Sequence, residues 1–364
     1  MSYPAGKIVS KFGYKQGIVL GLSIAAIGCL CFYPSSAMRS YPIFLISLFI
    51  LASGLTLLQV SANPYVNLLG TPETAAKRLN LTQAFNSLGT AIGPMVGGMF
   101  ILSTVVLTSE DKSALSPSEL QAHLVNEASS VQIPYIVLTV ALVLLAVVIL
   151  MCKLPKLTSD KLEADTLLQG KLTQHKHLMF GVIGIFMYVG AEVSIGSFLI
   201  NFMENPAIAN LSALEASKHL ALYWGGAMIG RFVGSYVMTW IRPNKLLAFN
   251  AIIIISLIIV AIMIQGSIGM WALLAIGLFN SIMFPTIFSL SLEKLGGLTG
   301  KAFGLLCMGI VGGAIVPMVQ ASFADSYTLI GSFAIPAICY AYIAWFGLSG
   351  FRPVQSNKYQ TVYS

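Results

Sequence analysis

Charge is scarce in this chain. Asp, Glu, Lys and Arg make up 9% of its 364 residues, where a soluble domain carries about a quarter. Acids are scarcer still, 13 against 20 Lys and Arg. A soluble fold with so little charge could not cover its own surface, so a soluble domain is excluded. Enzyme signatures are missing as well. There is no GxxxxGK[ST] phosphate loop, no HExxH and no CxxC pair. The cysteines Cys29, Cys31, Cys152, Cys307 and Cys339 lie in or beside apolar runs without metal-ligand spacing, and read as reduced thiols. His123, His175, His177 and His219 fall in loops or at span edges, which excludes a buried histidine proton relay. Neither an enzyme nor a bound cofactor or metal is expected.

Apolar residues fill the remainder: 57% of the chain, with a mean hydropathy of +0.84. A membrane span needs about 20 mostly apolar residues. Candidate spans are 17–35, 42–69, 79–107, 131–152, 178–203, 218–241, 246–265, 269–292, 301–324 and 328–349. The stretch 1–16 is too short and too charged to span. It has neither the apolar core nor the cleavage site of a signal peptide. The chain reads as an all-α polytopic membrane protein whose direct partner is the lipid bilayer.

The basic residues set an orientation. Connections alternate between Lys- and Arg-rich and Lys- and Arg-poor. Of the 20 basic residues, sixteen lie on one side, three (Arg39, Lys112, Lys218) on the other, and Arg231 inside a span. Positive loops favour the cytoplasm, so both termini are expected there. The net charge of +7 follows from this bias and implies no nucleic-acid partner. The outer loop 108–130 carries Glu110, Asp111, Glu119 and Glu127.

The spans repeat. Asn63-Pro64-Tyr65-Val66 precedes Gly93-Pro94-Met95-Val96 as Phe284-Pro285-Thr286-Ile287 precedes Val316-Pro317-Met318-Val319. Two parallel repeats produce such a pattern. The polar stretch 153–177 divides them into an N-terminal half (1–152) and a C-terminal half of six spans (178–349), followed by a cytoplasmic tail (350–364). The first half has only four spans. The repeat therefore leads us to expect that about one and a half helices precede Met1.

Polar groups inside spans mark the candidate site, because each costs several kcal/mol in lipid unless it is partnered. Gln59, Asn63 and Asn67 share one helical face, as do Thr82, Asn86 and Thr90. Asn and Gln offer donors and acceptors, as a sugar hydroxyl does; the alternative is interhelical bonding. Gln83 lies near the second stripe. Tyr188, Ser197, Asn201, Trp224, Asn280 and Phe284 are further candidates for the same cavity, with aromatic faces suited to the apolar faces of a pyranose.

Glu192 is the only acid in a span interior and Arg231 the only base. They lie about 21 Å and about 15 Å from the inner ends of their spans at 1.5 Å per residue. A mutual ion pair with a structural or gating role is the expected arrangement, and cation coupling by Glu192 the alternative. Gly89, Gly93 and Gly97, and Gly226, Gly230 and Gly234, form small-residue stripes at which helices approach closely.

The motifs Gln59-Val60-Ser61-Ala62-Asn63-Pro64-Tyr65, Arg78-Leu79-Asn80-Leu81-Thr82-Gln83-Ala84-Phe85-Asn86-Ser87-Leu88-Gly89 and Tyr188-Val189-Gly190-Ala191-Glu192-Val193-Ser194 resemble the glucose/galactose transporter branch of the fucose:proton symporter family, within the major facilitator superfamily. Met1–Gly17 resembles that family's cytoplasmic gating loop after its second helix. The resemblance implies two parallel six-helix halves and secondary active symport of a neutral monosaccharide by alternating access, coupled to H+ or Na+. It further implies a monomer in the bacterial inner membrane, places Asn86 at a sugar-contacting position, and makes the two glycine stripes the rocking contact between halves. Fucose permeases carry a glutamate where this chain has Gln59, which cannot titrate. Alternative readings are an organic-ion or drug carrier and a non-transporting sensor or inactive fragment.

Overall fold

The computed structural model describes residues 2–101, 116, 118–119, 121, 131–155, 172–295 and 298–353. The expected outer loop, the central cytoplasmic connection and the C-terminal tail lie largely outside the described residues. Helices account for nearly all of the described chain. They are α1 (Ser2–Phe12), α2 (Tyr14–Ala37), α3 (Tyr41–Leu68), α4 (Ala75–Ile101), α5 (Gln132–Met151), α6 (Lys176–Glu204) and α7 (Ala213–Val237). There follow α8 (Pro243–Met263), α9 (Ser267–Asn280), α10 (Met283–Ser291), α11 (Thr299–Met308), α12 (Gly312–Ser326), α13 (Leu329–Ser332) and α14 (Ala334–Trp345).

In its described residues, each of the ten expected spans falls largely on helix. Among the described residues, eight helical segments are long and apolar enough to cross a membrane. The two outside that set are α4 and α7, the helices that hold Asn80, Gln83, Asn86 and Arg231. Two expectations need correction. Residues 2–12 form a helix rather than a loop; Ala5 and Val9, four apart, are both buried. Gly13, at φ 83°, makes the corner into α2 that a side chain would strain. Three spans are each two helices rather than one: 269–292 (α9 and α10), 301–324 (α11 and α12) and 328–349 (α13 and α14).

Contacts group the chain into two compact units, 1–65 with 89–159, and 66–88 with 160–364. In the first, α2 packs along α5, where Phe32 stacks on Tyr135 with centroids 4.1 Å apart. Glycines bring α2 and α3 into backbone contact: a methyl on Gly21 would lie 2.7 Å from the Leu58 amide nitrogen. Lys15 Nζ donates to the Leu150 and Cys152 carbonyls at 2.8 and 2.9 Å. A cation there satisfies carbonyls left open at the end of α5 and opposes its dipole. The flanks of α5 are apolar and exposed, as at Val137 and Leu144 (both 59%), the pattern of a lipid-facing helix.

In the second unit, α6 packs on α10, α12 and α14, and α7 and α8 both pack on α9. Gly226, Gly230 and Gly234 of α7 lie against Leu278, Ser281 and Ile282. This stripe therefore seats α7 on its neighbour in the same half; it was expected to meet α4. Only Gly234 also approaches Asn80 of α4. No neighbouring atom lies within 4 Å of a methyl built on Gly89, and the side-chain surroundings of Gly93 and Gly97 lie outside the description.

Candidate functional site: a broken helix capped by three neighbours

The polar centre of the second unit is built on the interruption between α9 and α10. Pro285 has no N–H, so the Ser281 carbonyl lacks its helical donor. Side chains from three other helices reach the carbonyls at this point. Asn250 Nδ2 of α8 donates to the Phe279 carbonyl at 2.9 Å, and the Tyr188 hydroxyl of α6 to the Asn280 carbonyl at 3.2 Å. Arg231 Nε of α7 donates to the Ser281 carbonyl at 3.1 Å. Buried carbonyls need such partners, and in lipid no water supplies them.

Asn280 sits fully buried at the break. Its Nδ2 donates to the Tyr223 hydroxyl at 2.8 Å, and its Oδ1 accepts from the Tyr340 hydroxyl at 2.6 Å. Tyr223 passes the chain on to the Glu192 backbone carbonyl at 3.4 Å. The Glu192 side chain is half-buried. It interacts with the Tyr188 hydroxyl and feels the charge of Arg231.

Glu192 and Arg231 do not form the expected ion pair; no contact of that kind joins them among the described residues. The guanidinium is spent on oxygens instead. Besides Ser281, Arg231 Nη1 donates to the Gln83 carbonyl at 3.3 Å and to Ser87 Oγ. The backbone around the arginine is fixed to the same helix, since Asn80 Nδ2 donates to the Arg231 carbonyl at 2.7 Å. Ser235 Oγ donates to the Lys77 carbonyl at 3.1 Å, and Ser289 Oγ to Asn67 Oδ1 at 2.7 Å. Arg231 thus joins α4 to the break.

The sequence candidates divide accordingly. Gln83 and Arg231 meet; Tyr188, Asn280, Phe284 and Glu192 meet, with Phe284 6.5 Å from Tyr188 between ring centroids. Tyr188 and Asn280 were expected to line a sugar cavity. Both are 0% exposed with their polar atoms committed inside the helix pack, so here they build the scaffold. Asn86 on α4 and Trp224 on α7 are exposed, and Trp224 lies over Gly196 and edge-on to Tyr223. Asn201 is exposed too, but stands 13 residues beyond Tyr188, about 20 Å along α6. In the first unit Gln59 is exposed on α3 and Asn63 is buried.

Tyr223, Tyr340 and Asn250 were not among the candidates. A tyrosine in an apolar run carries no mark separating it from packing aromatics. Asn250 alone had a usable signal, a carboxamide within an apolar stretch.

Residues 1–317 match the family model of the Major Facilitator Superfamily. The chain is 50% identical over 350 residues to a glucose/galactose transporter of Brucella abortus biovar 1 (strain 9-941), covering 96% of this chain and 82% of that one. It is 36% identical over 347 residues to the L-fucose-proton symporter of Escherichia coli (strain K12), with 93% and 79% covered. Among solved structures it resembles the transporter FucP in its outward conformation, with a TM-score of 0.87, 34% identity, and 95% and 85% of the two chains covered.

Proposed function

Given that the chain belongs to the major facilitator superfamily, we propose that it carries a neutral hexose of the glucose/galactose class across the membrane together with a proton. The observation that carries this reading is the 50% identity over nearly the whole chain to a glucose/galactose transporter. Proton coupling is supported by the fucose-proton symporter at 36%. Two parallel halves, 1–152 and 178–349, would alternate access to the site.

In this reading Gln59, Asn63, Gln83 and Asn86 hydrogen-bond the sugar, while Trp224 and Phe284 cover its apolar faces. Asn201 stands at the far end of α6 as an entry contact. Glu192 carries the proton. The Tyr188 hydroxyl gives its one hydrogen to the Asn280 carbonyl, so a hydrogen bond between Tyr188 and Glu192 draws its proton from Glu192. Both termini face the cytoplasm, and the protein acts as a monomer in a bacterial inner membrane.

The test is counterflow in proteoliposomes with labelled glucose, galactose and fucose, followed by uptake under an imposed pH gradient. Glucose and galactose should exchange, and an inward proton gradient should drive accumulation. Exchange of fucose alone would move the substrate class. Exchange unaffected by pH but driven by sodium would replace the coupling ion. A membrane-impermeant maleimide should label Glu119→Cys from outside and should not label Gln169→Cys.

A further inference from the structure

Helices α7 and α8 each pack on α9 and leave a groove of about 640 Å³ between them. Its walls include Ile229, Val233, Ile241, Phe249 and Leu278. Two polar atoms at its wall are already engaged: Asn250 Nδ2 donates to the Phe279 carbonyl, and the Ser281 carbonyl accepts from Arg231. Most of the lining is hydrocarbon. It suits an acyl chain better than the many hydroxyls of a sugar.

The groove has a polar end. Lys245, exposed at the start of α8, lines it. Arg242 precedes that helix, whose first turn has no acidic residue. Lys245 makes no ion pair among the described residues. Next in sequence to the groove residues Val237 and Ile241, Tyr236 and Trp240, 63% and 69% exposed, pack edge to face with centroids 4.5 Å apart. Exposed Tyr and Trp mark the level of lipid headgroups. From Ile229 to Val237 the groove follows eight residues of α7, about 12 Å, and it continues past the helix end to Ile241. One leaflet of a bilayer core is about 15 Å deep.

We propose that this groove is a phospholipid site: one acyl chain lies between α7 and α8, and its anionic headgroup is held by Lys245. Charge complementarity selects the headgroup, and the depth of the groove fits a chain of one leaflet. The proposal does not depend on what the protein transports.

Native mass spectrometry of the full chain in detergent tests it, with phosphatidylglycerol and phosphatidylcholine of equal chain length as probes. The protein should retain one phosphatidylglycerol in preference to phosphatidylcholine. Lys245→Gln should weaken phosphatidylglycerol about fivefold and leave phosphatidylcholine unchanged. Val233→Trp, which fills the groove, should expel both; Phe249→Trp is the second variant if that one fails to fold, and thermal melting reports folding. Equal retention of the two lipids, indifference to Lys245→Gln, or full binding to a folded groove-filling variant would each overturn the site. Dihexanoyl phosphatidylglycerol competing as well as the long-chain lipid would do so too, because the groove would then contribute nothing.

Discussion

Two helical segments of this chain combine asparagine and proline and fold differently. Asn63-Pro64 lies within α3, which runs unbroken from Tyr41 to Leu68. Asn280 and Pro285 lie where the segment 267–291 stops and restarts. In α3 the proline comes four residues before the helix ends, so little helix remains to disturb. In the other segment it lies six residues before the end, just past the break, and Asn250, Tyr188 and Arg231 occupy three successive carbonyls there. The difference teaches that a proline opens a helix where neighbours supply the missing donors. It also separates two jobs. The broken segment turns its polar groups inward as structure, while α3 leaves Gln59 exposed, where the proposed function has it meet the sugar.

The sharpest challenge to that division is Asn280→Leu. It removes the acceptor of Tyr340 and the donor to Tyr223, both deep in the helix pack. Stability should fall by about 2 to 4 kcal/mol, because buried polar groups left without partners cost about 1 to 3 kcal/mol each. Gln59→Leu, at an exposed site, should stay within about 0.5 kcal/mol. Melting curves in detergent compare the two, and equal shifts would dissolve the distinction.

Arg231→Gln should come next, at about 2 to 3 kcal/mol, the scale of charged hydrogen bonds. Arg231→Lys should recover little of it, since one ammonium cannot reach Ser281, Gln83 and Ser87 as a guanidinium fork does. Combining Arg231→Gln with Glu192→Gln should give losses that add within about 0.5 kcal/mol. A double variant more stable than either single one would restore the ion pair that the structure lacks.

For the exposed side of the comparison, Gln59→Ala and Asn86→Ala should each weaken sugar binding about fivefold, one hydrogen bond of about 1 kcal/mol. Their melting curves should hardly move. Calorimetry with glucose that shows no change for either variant removes both from the binding site.

The smallest effect concerns the cap of α7. Ser212 accepts from the Glu215 amide, and the Glu215 carboxylate answers to the Ser212 backbone and hydroxyl. Ser212→Ala should cost about 1 kcal/mol. The Ser212 hydroxyl and backbone hold the Glu215 carboxyl below its usual range. Its folded value is depressed, so its contribution is present above the ordinary carboxylate range and is lost as pH falls through the lowered value. Ser212→Ala should flatten that acid limb of the melting temperature.

Much of this was legible in the sequence. Spans are long apolar runs, and length and hydropathy suffice to find them. The repeat led us to expect two halves, while contacts group 66–88 with the C-terminal helices; carboxamides in apolar runs are what marked α3 and α4 as candidates. Pairings were not legible. Glu192 and Arg231 are the only interior charges of opposite sign, and opposite charges suggest an ion pair. The arginine found other oxygens instead: the Ser281 carbonyl, which Pro285 leaves open, and the Gln83 carbonyl and Ser87 hydroxyl of α4, which only the packing brings near. Tyr223 and Tyr340 were missed for the same reason: their hydroxyls matter only because the break buries Asn280 beside them. Likewise the glycines of α7 announced a close contact but not which helix would make it.

The three donors at the break also set a clock. They come from α6, α7 and α8, so straightening the segment means releasing all three together. At about 1 kcal/mol each, their joint loss before any replacement forms slows that motion roughly a hundredfold. Any motion that straightened this segment would be paced by how quickly new acceptors are offered to Asn250, Tyr188 and Arg231.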